Sequence, residues 1–444
     1  MASAAKVVLR GLMLALLGWF SYLFSRTLLT FIRLDAPFLD WQWYLAILIL
    51  LLGLSARIVW HNLCPKWSRV AAVGLLVWIV VGYNGFGRVR WIQQLNADPI
   101  IISYWTSTWI FQASATNLEI LEANEGRLYL SIGEQEFGDG EDELVSGLRR
   151  LAEYDIKVYL AVRASDYLSV PVCDEWIANV QEVASLVQRE GLLNVQGIIG
   201  DAENPKTMPL DLGGEDRSDL LEAASRQAGL IRWMEEEYPR LRVGVTASWP
   251  LYVDRMDGDE DLSVMLRSTV DPPGGWSIVN SMTYSSYLPA SWRAYYVYLV
   301  ERMMTRLYPD LPPSHLIGLA ARGNPGEPLL SYDELVRDAQ LSRAMGVSEV
   351  VVYKLNQRLL ENLGADFVQR FVSDVNGVGN EAVVEVRFAR PVSILVYSVL
   401  MLDILLNTRG WGILLLATWF VMSGIIAHYS VQTRRERKCN SGAA

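Results

Sequence analysis

Hydrophobic residues are distributed in two different ways along the chain. At both ends they run almost without interruption: Gly11–Phe31, Trp43–Trp60 and Val70–Phe86, then, after a long polar middle, Pro391–Leu406 and Trp411–His428. A helix that crosses a bilayer needs about 20 mainly apolar residues, and these stretches meet or approach that length. Trp and Tyr fall near their ends, where interfacial residues belong. The first stretch is too long, and too soon followed by others, for a cleaved leader. The turn Asn407-Thr408-Arg409-Gly410 joins the last two. Asp403 interrupts the fourth stretch. Such a residue either faces a neighbouring helix or the interface, or is a functional intramembrane acid. The pattern predicts three transmembrane helices within residues 1–90, two more within 389–431, and a basic tail over 432–444.

Between these flanks, over residues 97–378, short apolar runs alternate with amphipathic stretches. The strand-like runs are Ile101–Trp105, Leu128–Ile132, Val158–Val162, the run from Val195, Leu241–Ala247, Trp276–Tyr284, His315–Ala320 and Glu349–Tyr353. Helical patterns cover Glu141–Tyr154, Glu175–Glu190, Asp216–Tyr238, Trp292–Tyr308, Tyr332–Met345 and Leu359–Val372. Regular alternation of this kind argues for parallel βαβ units. Eight units at this length fit a closed (β/α)8 barrel better than an open sheet. No Gly-rich phosphate loop follows the first run, which argues against a dinucleotide-binding sheet. The predicted fold class is α/β, a (β/α)8 TIM barrel flanked by transmembrane α-helices.

Composition narrows the chemistry. The net charge of −10 over 444 residues disfavours a nucleic-acid partner. Cys64, Cys173 and Cys439 stand far apart, with neither a disulfide nor a zinc pattern. His61, His315 and His428 lack ligand spacing, so no metal and no cofactor are expected.

In a barrel of this type catalytic groups stand at the carboxyl ends of the strands. In order, those ends offer Trp105; Glu134 and Glu136; Arg163; Asp201 and Glu203; Trp249; Tyr284 and Tyr287; Arg322; and Tyr353 with Lys354. Acids, cations and aromatics are thus expected around one mouth. Aromatic rings there suit the flat C–H faces of sugars, although strand ends also turn polar simply where they meet water. The fourth strand differs from the rest. It reads VQGIIGDAENP over Val195–Pro205, and it places Asp201 and Glu203 two residues apart, on the face shared by Gly197 and Ile199.

That strand resembles the Asp-Gly-x-Asp-x-Asp-x-Glu strand of the chitinase-type glycoside hydrolases of family eighteen. Gly197, Asp201, Glu203 and Pro205 match the pattern, while Gln196 and Ile199 stand where the family carries its first two acids. Met282-Thr283-Tyr284 matches the family's Met-x-Tyr on strand six, and Ser103-Tyr104-Trp105-Thr106 is similar to its first strand. Tyr353 replaces the usual Trp on strand eight. The resemblance covers the middle domain only.

What the resemblance implies is a retaining, substrate-assisted cleavage of a glycan that contains N-acetylhexosamine. Glu203 would protonate the leaving glycosidic oxygen. Asp201 would hold the 2-acetamido group so that its carbonyl oxygen attacks the anomeric carbon, with Tyr284 hydrogen-bonding the same group. No protein nucleophile is then required. Two acids held close share a proton, which keeps Glu203 protonated near neutral pH. Ile199 removes one member of that chain, so activity would be slower, shifted in pH or lost. Trp105, Glu134, Arg163, Trp249, Met282, Arg322, Tyr353 and Lys354 would contact substrate. Two alternatives stand beside this glycosidase reading: a non-catalytic carbohydrate-binding barrel, and a lysozyme-like hydrolase that uses the Asp-x-Glu pair alone.

The expected partners are membrane lipid and a glycan. Arg163, Arg322 and Lys354 either balance the acids of the mouth or hold an anionic, wall-type or lipid-linked substrate. Sidedness pulls two ways. Lys6, Arg10, Arg57, Lys66 and Arg69 place the N-terminus inside and the barrel outside the cytoplasm, facing the cell envelope; the basic tail Arg434–Lys438 argues the reverse. The first helices usually dominate orientation, so the expectation is an integral membrane protein of about five spans with an extracytoplasmic barrel.

Overall fold

The computed structural model describes residues 90–94, 98–163, 173–202, 217–256, 260–268, 275–311, 314–319, 328–356, 366–377 and 383–387. The five expected spans and the basic tail lie outside the described residues, and no helix among those described is long and apolar enough to cross a membrane. The chain divides into two units, Gly87–Val396 and the flanks Met1–Phe86 with Tyr397–Ala444. All described residues belong to the former.

A first strand, β1 (Arg90–Gln94), precedes eight strands that close a parallel barrel. These are β2 (Ile101–Ser107), β3 (Arg127–Ile132), β4 (Lys157–Val162), β5 (Val195–Ala202), β6 (Arg242–Ser248), β7 (Ile278–Thr283), β8 (Ser314–Leu319) and β9 (Glu349–Tyr353). Each pairs with its sequence neighbour, and β9 returns to β2 in the register Ile101↔Glu349 to Tyr104↔Val352. The eight strand-like runs of the sequence are these strands. They read as apolar runs because a barrel strand is covered on both faces, by the interior and by helices. In β2 the five central residues are all buried.

Among the described residues the helices are α1 (Ala115–Ala123), α2 (Glu134–Phe137), α3 (Glu141–Glu153), α4 (Cys173–Arg189), α5 (Arg217–Glu237), α6 (Asp261–Met265), α7 (Ala290–Leu307), α8 (Tyr332–Ala344) and α9 (Phe367–Asn376). Helix α3 shows how the sequence makes such a layer. Leu144, Val145, Leu148 and Leu151 recur at helical spacing and are buried, while Glu141, Asp142 and Glu143 occupy the first turn, where the helix dipole favours negative charge. Gly147 lies in the buried stripe because a Cβ there would fall 2.2 Å from the ring of Phe111.

Helix α9 closes the molecule over its first barrel strand. The Asn376 side chain donates to Ile100 O at 2.8 Å and accepts from Ile100 N at 3.0 Å. Arg343 of α8 donates to Val375 O and Asp98 O. The sequence pattern does not predict the ribbon formed by β1 and β10 (Val383–Arg387), which pair antiparallel from Arg90↔Arg387 to Gln94↔Val383. The ribbon brings the two ends of the barrel unit side by side, and it packs on α7 and α8.

Candidate active site

Side chains from seven of the eight barrel strands meet in one interior cluster: Trp105, Tyr129, Tyr159, Ala161, Ile199, Ile278, Met282, Leu316 and Val351, with Tyr284 and Tyr353 packed against it. Its aromatics form a continuous series. Tyr159 stacks on Tyr129 with centroids 4.9 Å apart, and Tyr129 stacks on Trp105 at 6.0 Å and 12°. Trp105 meets Tyr353 at 6.2 Å, and Tyr353 meets Tyr284 at 5.6 Å. Tyr284 and Tyr353 are only partly buried, so the series opens at the carboxyl ends of β7 and β9. The backbone of the last strand is tied to the first here, with Leu355 N donating to Trp105 O at 2.8 Å. Three of the residues singled out in the sequence as substrate contacts, Trp105, Met282 and Tyr353, thus lie together with Tyr284.

Beneath the aromatics, at the amino end of β9, lies a buried acid that the sequence does not mark. Glu349 accepts from Ser103 Oγ at 2.5 Å, Ser314 Oγ at 2.8 Å and Tyr129 Oη at 3.1 Å. Burial, reinforced by the Glu349 charge, pushes the Tyr129 phenol well above its ordinary pKa. Tyr129 is therefore a neutral donor that pins its own ring. Burial likewise raises the pKa of Tyr159.

The other candidates are distributed around the rim. Glu134 is exposed at the start of α2. Glu136 accepts from Gly133 N at 2.8 Å and pairs with Arg163 at 3.3 Å. That pair is largely solvated, with 56% of the Arg163 side chain exposed, and it contributes little stability. It does give Arg163 a partner acid at the ends of β3 and β4. Trp249 begins a short 3-10 turn after β6, is buried, and hydrogen-bonds the Tyr296 phenol on α7, outside the interior cluster. Tyr287 is 59% exposed. Lys354 follows Tyr353 across a cis peptide bond. Glu203 and Arg322 lie outside the described residues. Asp201 is described by its backbone, which pairs with Thr246 in the register that runs Gly197↔Arg242 to Ala202↔Ala247.

Two motif positions on β5 have a clear physical reading. Gly197 is required by close approach, since a Cβ would meet Arg242 O at 2.5 Å. Ile199, where the family carries an acid, is fully buried within the apolar cluster. A carboxylate there would need a polar partner that the neighbouring Tyr159, Ala161 and Ile278 side chains supply poorly.

Two cluster members, Tyr129 and Tyr159, escape the sequence reading because they sit in mid-strand rather than at a strand end. Their spacing from the strand ends is the signal that would have found them. Among the described residues no group of three or more His, Cys, Asp or Glu side chains could hold a metal ion.

The architecture is a closed (β/α)8 barrel whose interior aromatic cluster opens at the carboxyl ends of β7 and β9. No family model and no curated protein matches the sequence. Among solved structures the chain is similar to the PgaB (BpsB) glycoside hydrolase domain from Bordetella bronchiseptica, at 10% identity over 62% of this chain and 99% of that one, with a TM-score of 0.40. It is also similar to the family GH18 chitinase from Cycas revoluta in complex with allosamidin, at 12% identity over 62% and 99% of the two chains and a TM-score of 0.39. A GH18 chitinase from Pseudoalteromonas aurantia matches at 10% identity over 62% and 99%, with a TM-score of 0.41.

Proposed function

We propose that the protein is a membrane-anchored glycoside hydrolase that cleaves a glycan containing N-acetylhexosamine by substrate-assisted, retaining catalysis. The observation that carries the proposal is the packing of Trp105, Met282, Tyr284 and Tyr353, from β2, β7 and β9, into one cluster at the carboxyl end of the barrel. A sugar ring would lie against Trp105 and Tyr353. Its 2-acetamido group would be held by Tyr284 and Asp201, and Glu203 would deliver the proton to the departing oxygen. The acetamido oxygen bonds to the anomeric carbon as the glycosidic C–O bond breaks. Water then attacks that carbon, Glu203 recovers the proton, and the acetamido group is restored.

This mechanism makes a sharp demand on the substrate. Fully N-acetylated oligomers should be cleaved, and oligomers of the same length with free amines should not, since they lack the internal nucleophile. Equal cleavage of both would remove substrate assistance and favour the lysozyme-like use of Asp201 and Glu203.

Arg163, Arg322 and Lys354 support a substrate that also carries a carboxylate or phosphate, as wall polymers and lipid-linked glycans do. An anionic oligomer should then show a higher kcat/KM than a neutral one, and salt should narrow the gap. The five spans hold the barrel outside the cytoplasm, beside such polymers. An odd number of spans puts the chain's end on the same side, so a phosphatase that is active only outside, fused after Ala444, should be on.

A further inference from the structure

We infer that Asp338, on α8 outside the barrel wall, is a positioning residue for Tyr284 and acts through Ser285. It rests on the acetamido-binding role proposed for Tyr284. That residue follows β7 and leads directly into a short 3-10 turn, Ser285–Tyr287. The turn buries Ser285 and Ser286 and leaves Tyr287 largely exposed. It is held from behind. Ser285 Oγ donates to Asp338 Oδ2 at 2.6 Å, and both side chains are buried. Arg293 of α7 grips the far end, donating to Leu288 O at 2.8 Å and Ser286 O at 3.3 Å.

Every group that faces Asp338 bears on its charge. Arg337, on the same helix, donates to Oδ1 at 2.6 and 2.9 Å. Glu301 of α7 opposes the negative charge, and Glu301 is itself shared with Ser342 Oγ at 2.5 Å and with the buried His315 of β8 at 3.2 Å. A carboxylate with one oxygen committed to Arg337 has the other available for Ser285. Hydrogen bonds to an ionised acceptor are about twice as strong as neutral ones, so protonating Asp338 loosens the Ser285 anchor beside Tyr284. Burial pushes the Asp338 carboxyl up to about 6, which brings that loosening into a working pH range.

The test uses the full-length chain with 3-fluorotyrosine at position 284, read by fluorine NMR from pH 4.5 to 7.5. The wild-type resonance should shift with a midpoint near 6, and Asp338→Asn and Ser285→Ala should each flatten the curve. On an acetylated oligomer at pH 7, KM should rise roughly 10-fold in Ser285→Ala, with Ser285→Thr restoring it and the Ser285→Ala/Asp338→Asn pair no worse than either alone, as members of one linkage behave. An unchanged titration in Asp338→Asn, or additive losses in the double variant, overturns the inference. Absence of turnover in wild type, with the fluorine titration as expected, would count against the hydrolase reading and leave the Asp338–Tyr284 link standing.

Discussion

The rings of Tyr284 and Tyr353 lie 5.6 Å apart and tilted by 47°, reaching toward each other from β7 and β9 across the end of β8. These two residues, 69 positions apart, share one wall, and the β9–β2 pairing that closes the barrel brings Trp105 against Tyr353 to extend it.

Removing a single ring from this wall should hurt binding more than folding. Tyr353→Ala leaves the buried stack of Trp105, Tyr129 and Tyr159 in place, but it removes a partly exposed face. KM for an acetylated oligomer should rise about 10-fold, at the upper end of the ~0.5–1.5 kcal/mol of an aromatic contact, while the unfolding midpoint moves little. A large loss of stability with unchanged KM would make Tyr353 a packing residue.

The floor of the site should behave in the opposite way. Glu349→Ala leaves the hydroxyls of Ser103, Tyr129 and Ser314 without their buried acceptor, and should destabilise the barrel by about 2–4 kcal/mol. Glu349→Gln keeps an acceptor oxygen and should cost less. Thermal unfolding of the two variants beside wild type makes the comparison; similar losses would mean that shape rather than hydrogen bonding matters at this position.

Asp338 gives the fold a defined pH dependence. Burial raises its carboxyl from 3.8 to about 6. The folded chain thus holds this proton more tightly than the unfolded chain does. The stability that follows is fully present below about pH 4 and is lost as pH rises through about 6, a swing on the order of 3 kcal/mol. Urea midpoints at pH 4.5 and 7.5 should fall with rising pH in wild type relative to Asp338→Asn, in which the group cannot ionise. Identical pH slopes in the two proteins would contradict the assignment.

These groups mark where sequence reasoning stops. The eight barrel strands are legible because strands buried on both faces read as apolar runs, and α3, α4, α5, α7 and α8 are legible because one face repeats at helical spacing. Helix α1 is not, since only Leu118 and Leu121 of its nine residues are buried and no stripe results. The β1–β10 ribbon joins five-residue segments almost 300 positions apart, and no local pattern encodes such a pairing. Strand ends point to Trp105, Tyr284 and Tyr353, whose rings pack together in the fold. The same rule gives no hint that Trp249 turns to Tyr296 on α7, because a strand end fixes where a residue sits and not which layer its ring enters. Glu349 with Ser103, and Asp338 with Ser285, are long-range buried pairs, visible only once the barrel is closed.

In the proposed mechanism Glu203 donates the proton. The direct measurement is release of fluorophore from N-acetylglucosamine oligomers by full-length wild type and by Glu203→Gln, with sugar binding measured in parallel. Glutamine keeps the shape but cannot supply the proton, and loss of general-acid help costs on the order of 10²–10⁴ in rate. The expected result is turnover in wild type, turnover lowered by at least that factor in Glu203→Gln, and binding nearly unchanged. Near-wild-type turnover in Glu203→Gln, or none in wild type with binding intact, would contradict it.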